Sequence, residues 1–240
     1  MTKKEFCYKI ALYVTIFLLF ITDIILLLNT LGVFATLYPI RNATEQLNNK
    51  EANAYGSSDA PYLSLGDRFS CAVSSSGGVK CWGLNTSSEV GNAGAGSYPS
   101  TPVDVTGLTS GVSSVASGNS HSCALTTRGG VKCWGSNSNG QLGDNTTTNS
   151  RLPVNVSGLS SGVTAISLGN AYSCALTSAG GVKCWGHATY GQIGNGTLVD
   201  QKTPVDVSGL TSGVSAIATG TWHACALMTA GTVKCWGRNQ

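Results

Sequence analysis

The sequence predicts an all-β fold: an open partial β-propeller of about four blades, three complete and one truncated, preceded by one N-terminal transmembrane helix. Three observations predict it. Cysteines recur as four pairs at one spacing; short alternating apolar runs between glycine-rich turns accompany each pair; and a separate stretch from Ile10 to Pro39 is almost continuously apolar.

The N-terminal part comes first in the chain. Lys3, Lys4 and Lys9 precede a run from Ile10 to Pro39 whose one charge is Asp23. A bilayer span needs about 20 apolar residues, and this run exceeds the roughly 7–15 of a signal-peptide core. Residues 10–40 therefore read as an anchor, with residues 1–9 held in the cytoplasm by the lysine bias. Asp23 would cost about 2.5–3.5 kcal/mol at mid-bilayer, so a span shifted toward Ile10–Leu28 places it near the outer interface. The alternative is a signal peptide: Val33-Phe34-Ala35 has the small-residue form of a cleavage site, and loss of residues 1–35 would leave a secreted chain. In both readings everything after about Arg41 lies outside the cytoplasm. Residues 41–60 are polar and aperiodic, as in a flexible linker.

Of nine cysteines, Cys7 stands alone on the cytosolic side, where it reads as an unpaired residue. The other eight are Cys71 with Cys81, Cys123 with Cys133, Cys174 with Cys184, and Cys225 with Cys235. An even, regularly spaced set in an exported chain reads as disulfides. Successive pairs lie 51 or 52 residues apart, a period of propellers or solenoids. It divides residues 61–240 into repeats 61–111, 112–162, 163–213 and a truncated 214–240.

The second repeat displays four strands best: Val112–Ser117, His121–Leu125, Val131–Gly135 and, after a polar loop, Pro153–Val156. The middle two form a hairpin. Placing Cys123 opposite Cys133 sets Leu125 against Val131 and leaves Thr127-Arg128-Gly129 as a three-residue loop. Such a loop wants a left-handed third residue, and Gly77, Gly129, Gly180 and Gly231 supply it. Opposed residues lie within disulfide reach, so each pair closes inside its own hairpin, worth about 2.5–3 kcal/mol in the chain-entropy model. Zinc is disfavoured: His121 and His223 precede Cys123 and Cys225, but Phe69 and Tyr172 hold that position in the other repeats.

The repeats resemble those of the regulator of chromosome condensation family. The motifs are Gly-x-x-His-Ser-x-Ala-Leu over Gly118 to Leu125, the Trp-Gly of Trp134-Gly135, and Asn-Gly-Gln-Leu-Gly over Asn139 to Gly143. Tyr190-Gly191-Gln192-Ile193-Gly194 and Gly220-Thr221-Trp222-His223 repeat parts of them. The resemblance covers about residues 60–240 and implies a β-propeller, seven-bladed in that family. The cysteine pairs resemble an exported, prokaryote-like branch. Seven repeats of this period need far more than 240 residues, and the fourth stops at Gln240, so the expectation is a partial chain or a half-ring completed by another chain.

No catalytic constellation emerges, and neither a cofactor nor a metal is expected. Gly143-Asp144-Asn145-Thr146 lacks the acidic run of a calcium loop and reads as a turn. With a net charge of +3 and no clustered basic residues, nucleic acid is not an expected partner. Trp82, Trp134, Trp185 and Trp236 recur in every repeat and read as packing between blades. His121 and His223 read as packing plus a hydrogen bond. Lys80, Lys132, Lys183 and Lys234 would line up one charge per blade, as an anion-binding arc or, preferably, a solvated set. Function in repeat folds sits on loops where the copies differ. Arg68, Arg128, His187, Tyr190 and Trp222 are the candidate contact residues, because Trp, Tyr and Arg dominate binding hot spots.

The function expected is non-catalytic binding of a protein or cell-surface polymer by a membrane-tethered extracellular module, with self-association through exposed blade edges. The resemblance also implies, for cytosolic or nuclear members, guanine-nucleotide exchange on a small GTPase, which export places second. An exported enzyme or inhibitor with its site in further blades is the remaining alternative, since other propellers carry hydrolase or lyase sites and a similar secreted family blocks β-lactamases.

Overall fold

The computed structural model describes residues 63–239. The expected anchor, the linker and Cys7 lie outside the described residues. Among the described residues fifteen strands form four antiparallel sheets in chain order. The first holds β1 (Leu63–Leu65), β2 (Phe69–Val73), β3 (Val79–Gly83) and β4 (Val103–Asp104). The second holds β5 (Val112–Ser117), β6 (His121–Thr126), β7 (Val131–Gly135) and β8 (Ser150–Asn155). The third holds β9 (Val163–Leu168), β10 (Tyr172–Thr177), β11 (Val182–Gly186) and β12 (Gln201–Asp206). The fourth has three strands, β13 (Val214–Thr219), β14 (His223–Met228) and β15 (Val233–Gly237). Each sheet is a simple meander, one propeller blade.

The central hairpins have the expected register. Cys71, Cys123, Cys174 and Cys225 lie opposite Cys81, Cys133, Cys184 and Cys235, and all four pairs are disulfide-bonded with Cα separations of 4.0–4.1 Å. Gly129 adopts φ +76° at the third loop position, a conformation that costs glycine nothing. A Cβ there would also meet the Gly162 amide nitrogen at 2.9 Å, so this turn is packed against the start of the next blade. The outer strand differs from expectation. β8 begins at Ser150, three residues before Pro153, and pairs Ser150 with Gly135 across a register shift. Its exposed polar residues lack the alternation that marks a half-buried strand.

The period-2 pleat decides how blades stack. In β6 and β7, Cys123, Leu125, Val131 and Cys133 face the following blade, where they pack on Val163, Ala175 and Trp185. On the other side Val115, Ala124 and Trp134 pack on Cys71, Val73, Val79 and Cys81 of the preceding blade. The third joint repeats the arrangement with Cys174, Leu176, Val182 and Cys184 against Ala224, Ala226 and Trp236. The hydrophobic core is therefore three sequential clusters, one per joint.

The tryptophans also bond across these joints. Nε1 of Trp134, Trp185 and Trp236 donates to the carbonyls of Glu89, Gln141 and Gln192 in the preceding blade, at 2.7, 2.9 and 2.9 Å. Residues at the His121 position point toward the following blade. His121 is fully buried and bonds Ser173 Oγ at 2.9 Å, while the Tyr172 hydroxyl donates to the carbonyls of Gly220 and His223. His223 departs from expectation: no described blade follows it, and its side chain is exposed.

Lys80 and Lys183 pair with Asp104 and Asp206 on the outer strands at 2.6 and 2.7 Å, and Lys132 donates to Asn155 at 2.7 Å. Three of the four lysines are thus occupied within their own blades. The tips of the inner strands meet around one concavity of about 490 Å³, lined by Gly66, Gly118, Gly169, Gly220 and their neighbours. Lettering the strands of each blade A to D in chain order, the A–B turns and the long C–D loops share one end of the assembly; the cysteine-hairpin (B–C) loops lie at the other.

Candidate functional site

The residue after each Trp-Gly leaves the third strand and enters the C–D loop. In the third blade this residue is His187, whose amide donates to the Ala171 carbonyl at 2.9 Å. The loop then folds on Gln192, which is fully buried. Its Oε1 accepts from the Tyr190 amide at 2.8 Å, and its Nε2 lies 2.9 Å from His187 Nδ1. An amide nitrogen can only donate, so Nδ1 accepts and the ring N–H is on Nε2, facing Thr189 Oγ1 at 3.0 Å. One buried glutamine therefore holds both the His187 ring and the Tyr190 backbone.

Trp222 arrives from the fourth blade, on the turn between β13 and β14. The turn is held by the Arg238 amide donating to the Trp222 carbonyl at 2.9 Å. The indole lies 5.6 Å from the His187 ring and 5.5 Å from the Tyr190 ring, both tilted, and His187 and Tyr190 are 6.3 Å apart. The Arg238 guanidinium stands 4.9 Å from the Tyr190 centroid, a cation–π distance. Tyr190 remains 42% exposed although it contacts three neighbours. Leu198 and Val199, on the same loop, are exposed as well.

The equivalent joints are built differently. In the second blade the positions of His187 and Tyr190 hold Ser136 and Asn139, and the position of Trp222 in the third holds Ala171. There Asn139 Nδ2 donates to Asp200 Oδ2 at 2.9 Å. In the first blade the residue equivalent to Gln192 is Glu89, fully buried. Its Oε2 accepts from the Ser87 amide at 2.8 Å, and its Oε1 has no partner among the described residues. Burial pushes this carboxyl above its ordinary value. Asp144 forms the turn expected of it, Oδ1 accepting from the Thr146 amide and hydroxyl at 3.0 and 2.8 Å.

Of the five candidate residues, His187, Tyr190 and Trp222 form one cluster. Arg68 is on the same end, on the first blade's turn, and is exposed beside Asp67 at 3.1 Å. Arg128 sits on the β6–β7 loop at the opposite end and belongs to a different surface. Arg238 was legible as a residue that differs between repeats, at the His187 position one repeat on, but was not carried to the candidate set; Gln192 was missed, because it recurs as a motif residue and carried no sign that it holds variable neighbours.

The fold defines a β-propeller repeat protein with a disulfide in every blade. Models of the regulator of chromosome condensation (RCC1) repeat match residues 63–89, 112–141 and 163–192 and, in a second form, 128–176 and 179–227. The chain belongs to the RCC1 repeat family. It is 33% identical over 174 residues to the mitochondrial RCC1 domain-containing protein RUG3 of Arabidopsis thaliana, covering 69% of this chain and 39% of that protein. It is 32% identical over 181 residues to the human E3 ubiquitin-protein ligase HERC2, covering 74% of this chain and 4% of that protein. The structure of human WBSCR16 superposes with a TM-score of 0.65 at 28% identity, over 73% of this chain and 48% of that one. Yeast RCC1 in its complex with Kap60 shares the fold at a TM-score of 0.65 and 23% identity, over 74% of this chain and 43% of that one. The chain thus spans less than half the length of these relatives.

Proposed function

We propose that this chain is a non-catalytic, membrane-tethered extracellular binding module, an open arc of blades that recognises a protein or cell-surface polymer through its C–D loop end. The observation that carries the reading is the cluster of His187, Tyr190, Trp222 and Arg238, which occurs at one of the three described joints and leaves Tyr190 half open to solvent. Trp, Tyr and Arg combine large contact area with polar tips, the chemistry of interface hot spots. Four intra-hairpin disulfides favour an oxidising compartment, which agrees with export and sets the reading apart from exchange on a cytosolic GTPase.

Photo-crosslinking tests it. A benzophenone amino acid replaces Tyr190 in the full exported chain, and a second variant carries it at Arg128 on the opposite end. An adduct of defined mass at position 190 and none at 128 supports the reading. Adducts at both positions, or at neither, refute it.

A further inference from the structure

The C–D loop of the first blade and β8 of the second enclose a cavity of about 230 Å³, lined by Asn85, Thr86, Ser88, Asn92, Ser97 and Arg151. Arg151 comes from β8, and the others belong to the loop. Small residues keep the space open. Ala93, Gly94, Ala95 and Gly96 follow Asn92, whereas Asn145, Thr146, Thr147 and Thr148 follow Asp144 at the same place in the second blade. There the Thr146 hydroxyl is tied into its loop, donating to Asp144 Oδ1 at 2.8 Å and accepting from Asn137 Nδ2 at 3.0 Å. A Cβ on Gly96 would meet no atom within 4 Å. Ser88 holds φ +74° where its counterparts are Gly140 and Gly191, so a hydroxyl is kept on the cavity wall at a backbone cost.

The polar groups of this lining fall into two sets. Asn85 and Asn92 build the loop, their Nδ2 atoms donating to the Gly96 and Asp104 carbonyls, each at 2.9 Å. The hydroxyls of Thr86, Ser88 and Ser97 and the Arg151 guanidinium have no partner among the described residues, and the described lining holds no carboxylate. We propose that this cavity binds a carboxylated sugar unit, a uronate. The planar guanidinium can take the carboxylate in two parallel bonds, and hydroxyls that both donate and accept match those of the sugar ring. One cation balances one carboxylate, whereas a phosphate group carrying about −1.5 to −2 would stay uncompensated. The volume lies below the roughly 300–1,000 Å³ of pockets for drug-sized ligands, which suits a single ring. The site is built by the first two blades alone and stands apart from the aromatic cluster, so either can fail without the other.

Saturation-transfer difference NMR of the full chain in detergent micelles tests it, with sodium glucuronate, glucose and a glucuronate trisaccharide as probes and inorganic phosphate as competitor. Glucuronate binds saturably, and glucose at least about tenfold more weakly, since it lacks the charge-assisted pair. Arg151→Gln raises the glucuronate Kd about tenfold or more for the same reason. Gly96→Leu, which fills the cavity, does likewise; Arg151→Gln, at an exposed side chain, carries the test if that variant does not fold. Lys202→Gln, at the matching place on β12 of the third blade, leaves the Kd unchanged. A trisaccharide that binds no more weakly than the monomer assigns the site to a unit of a polymer, and its exclusion assigns the site to a free sugar acid. No saturable glucuronate signal, equal affinity for glucose or phosphate, an unchanged Kd in Arg151→Gln, or an equal loss in Lys202→Gln overturns the proposal.

Discussion

Acidification should weaken this protein through a single histidine. His121 is enclosed between the second and third blades, and its Nδ1 has no partner among the described residues. Ser173 Oγ donates to the Gln141 carbonyl at 3.0 Å, so His121 Nε2 must be the donor in its own bond to that hydroxyl. A second proton would sit on Nδ1 without an acceptor, and burial depresses the His121 pKa from 6.5 to about 3. The unfolded chain takes up that proton below about pH 6.5 while the folded chain does not, so stability is complete above this value and falls as pH drops toward 3. The slope is about 1.4 kcal/mol per pH unit, giving a loss of about 2 kcal/mol at pH 5. Buried Glu89 has the opposite sign, since a raised carboxyl pKa favours the folded state in acid. The comparison is therefore wild type against His121→Phe, which cancels everything else. Phenylalanine occupies this position as Phe69 in the first blade, and Ser173 keeps its acceptor at Gln141. Urea unfolding of the full chain in detergent, followed by tryptophan fluorescence at pH 8 and pH 5, is the assay. Wild type should lose about 2 kcal/mol more than the variant between the two values. An equal loss in both would refute the assignment of a neutral, trapped His121.

Trp185→Phe should cost about 1–2 kcal/mol by removing the donor to the Gln141 carbonyl, whereas Trp82→Phe, which has no bonded partner among the described residues, should change the urea midpoint little. Alkaline carbonate should leave the chain in the membrane fraction; a soluble product beginning near Thr36 would mean that the N-terminal run is a cleaved signal.

Much of the fold was legible because it is local. Cysteine spacing, the glycine three places into each hairpin loop and the alternation around Val131–Gly135 act within about ten residues, and they set strand, register and disulfide together. The outer strand was misplaced because β8 is held by pairing with β7, while its own exposed side chains carry no period.

The candidate site was half legible. Differences among repeats singled out His187, Tyr190 and Trp222, but sequence cannot say that a loop of the third blade and a turn of the fourth touch. Equally, it could not separate them from Arg128, which the meander sends to the far end. By itself the sequence determined the repeat, its family resemblance and the cysteine pairing. The tertiary structure alone decided that His121 is sealed against the third blade and that Trp222 of the fourth blade meets His187 and Tyr190 of the third. The physical reason is one of range: those outcomes depend on a neighbouring blade, far along the chain, whose placement no local pattern records.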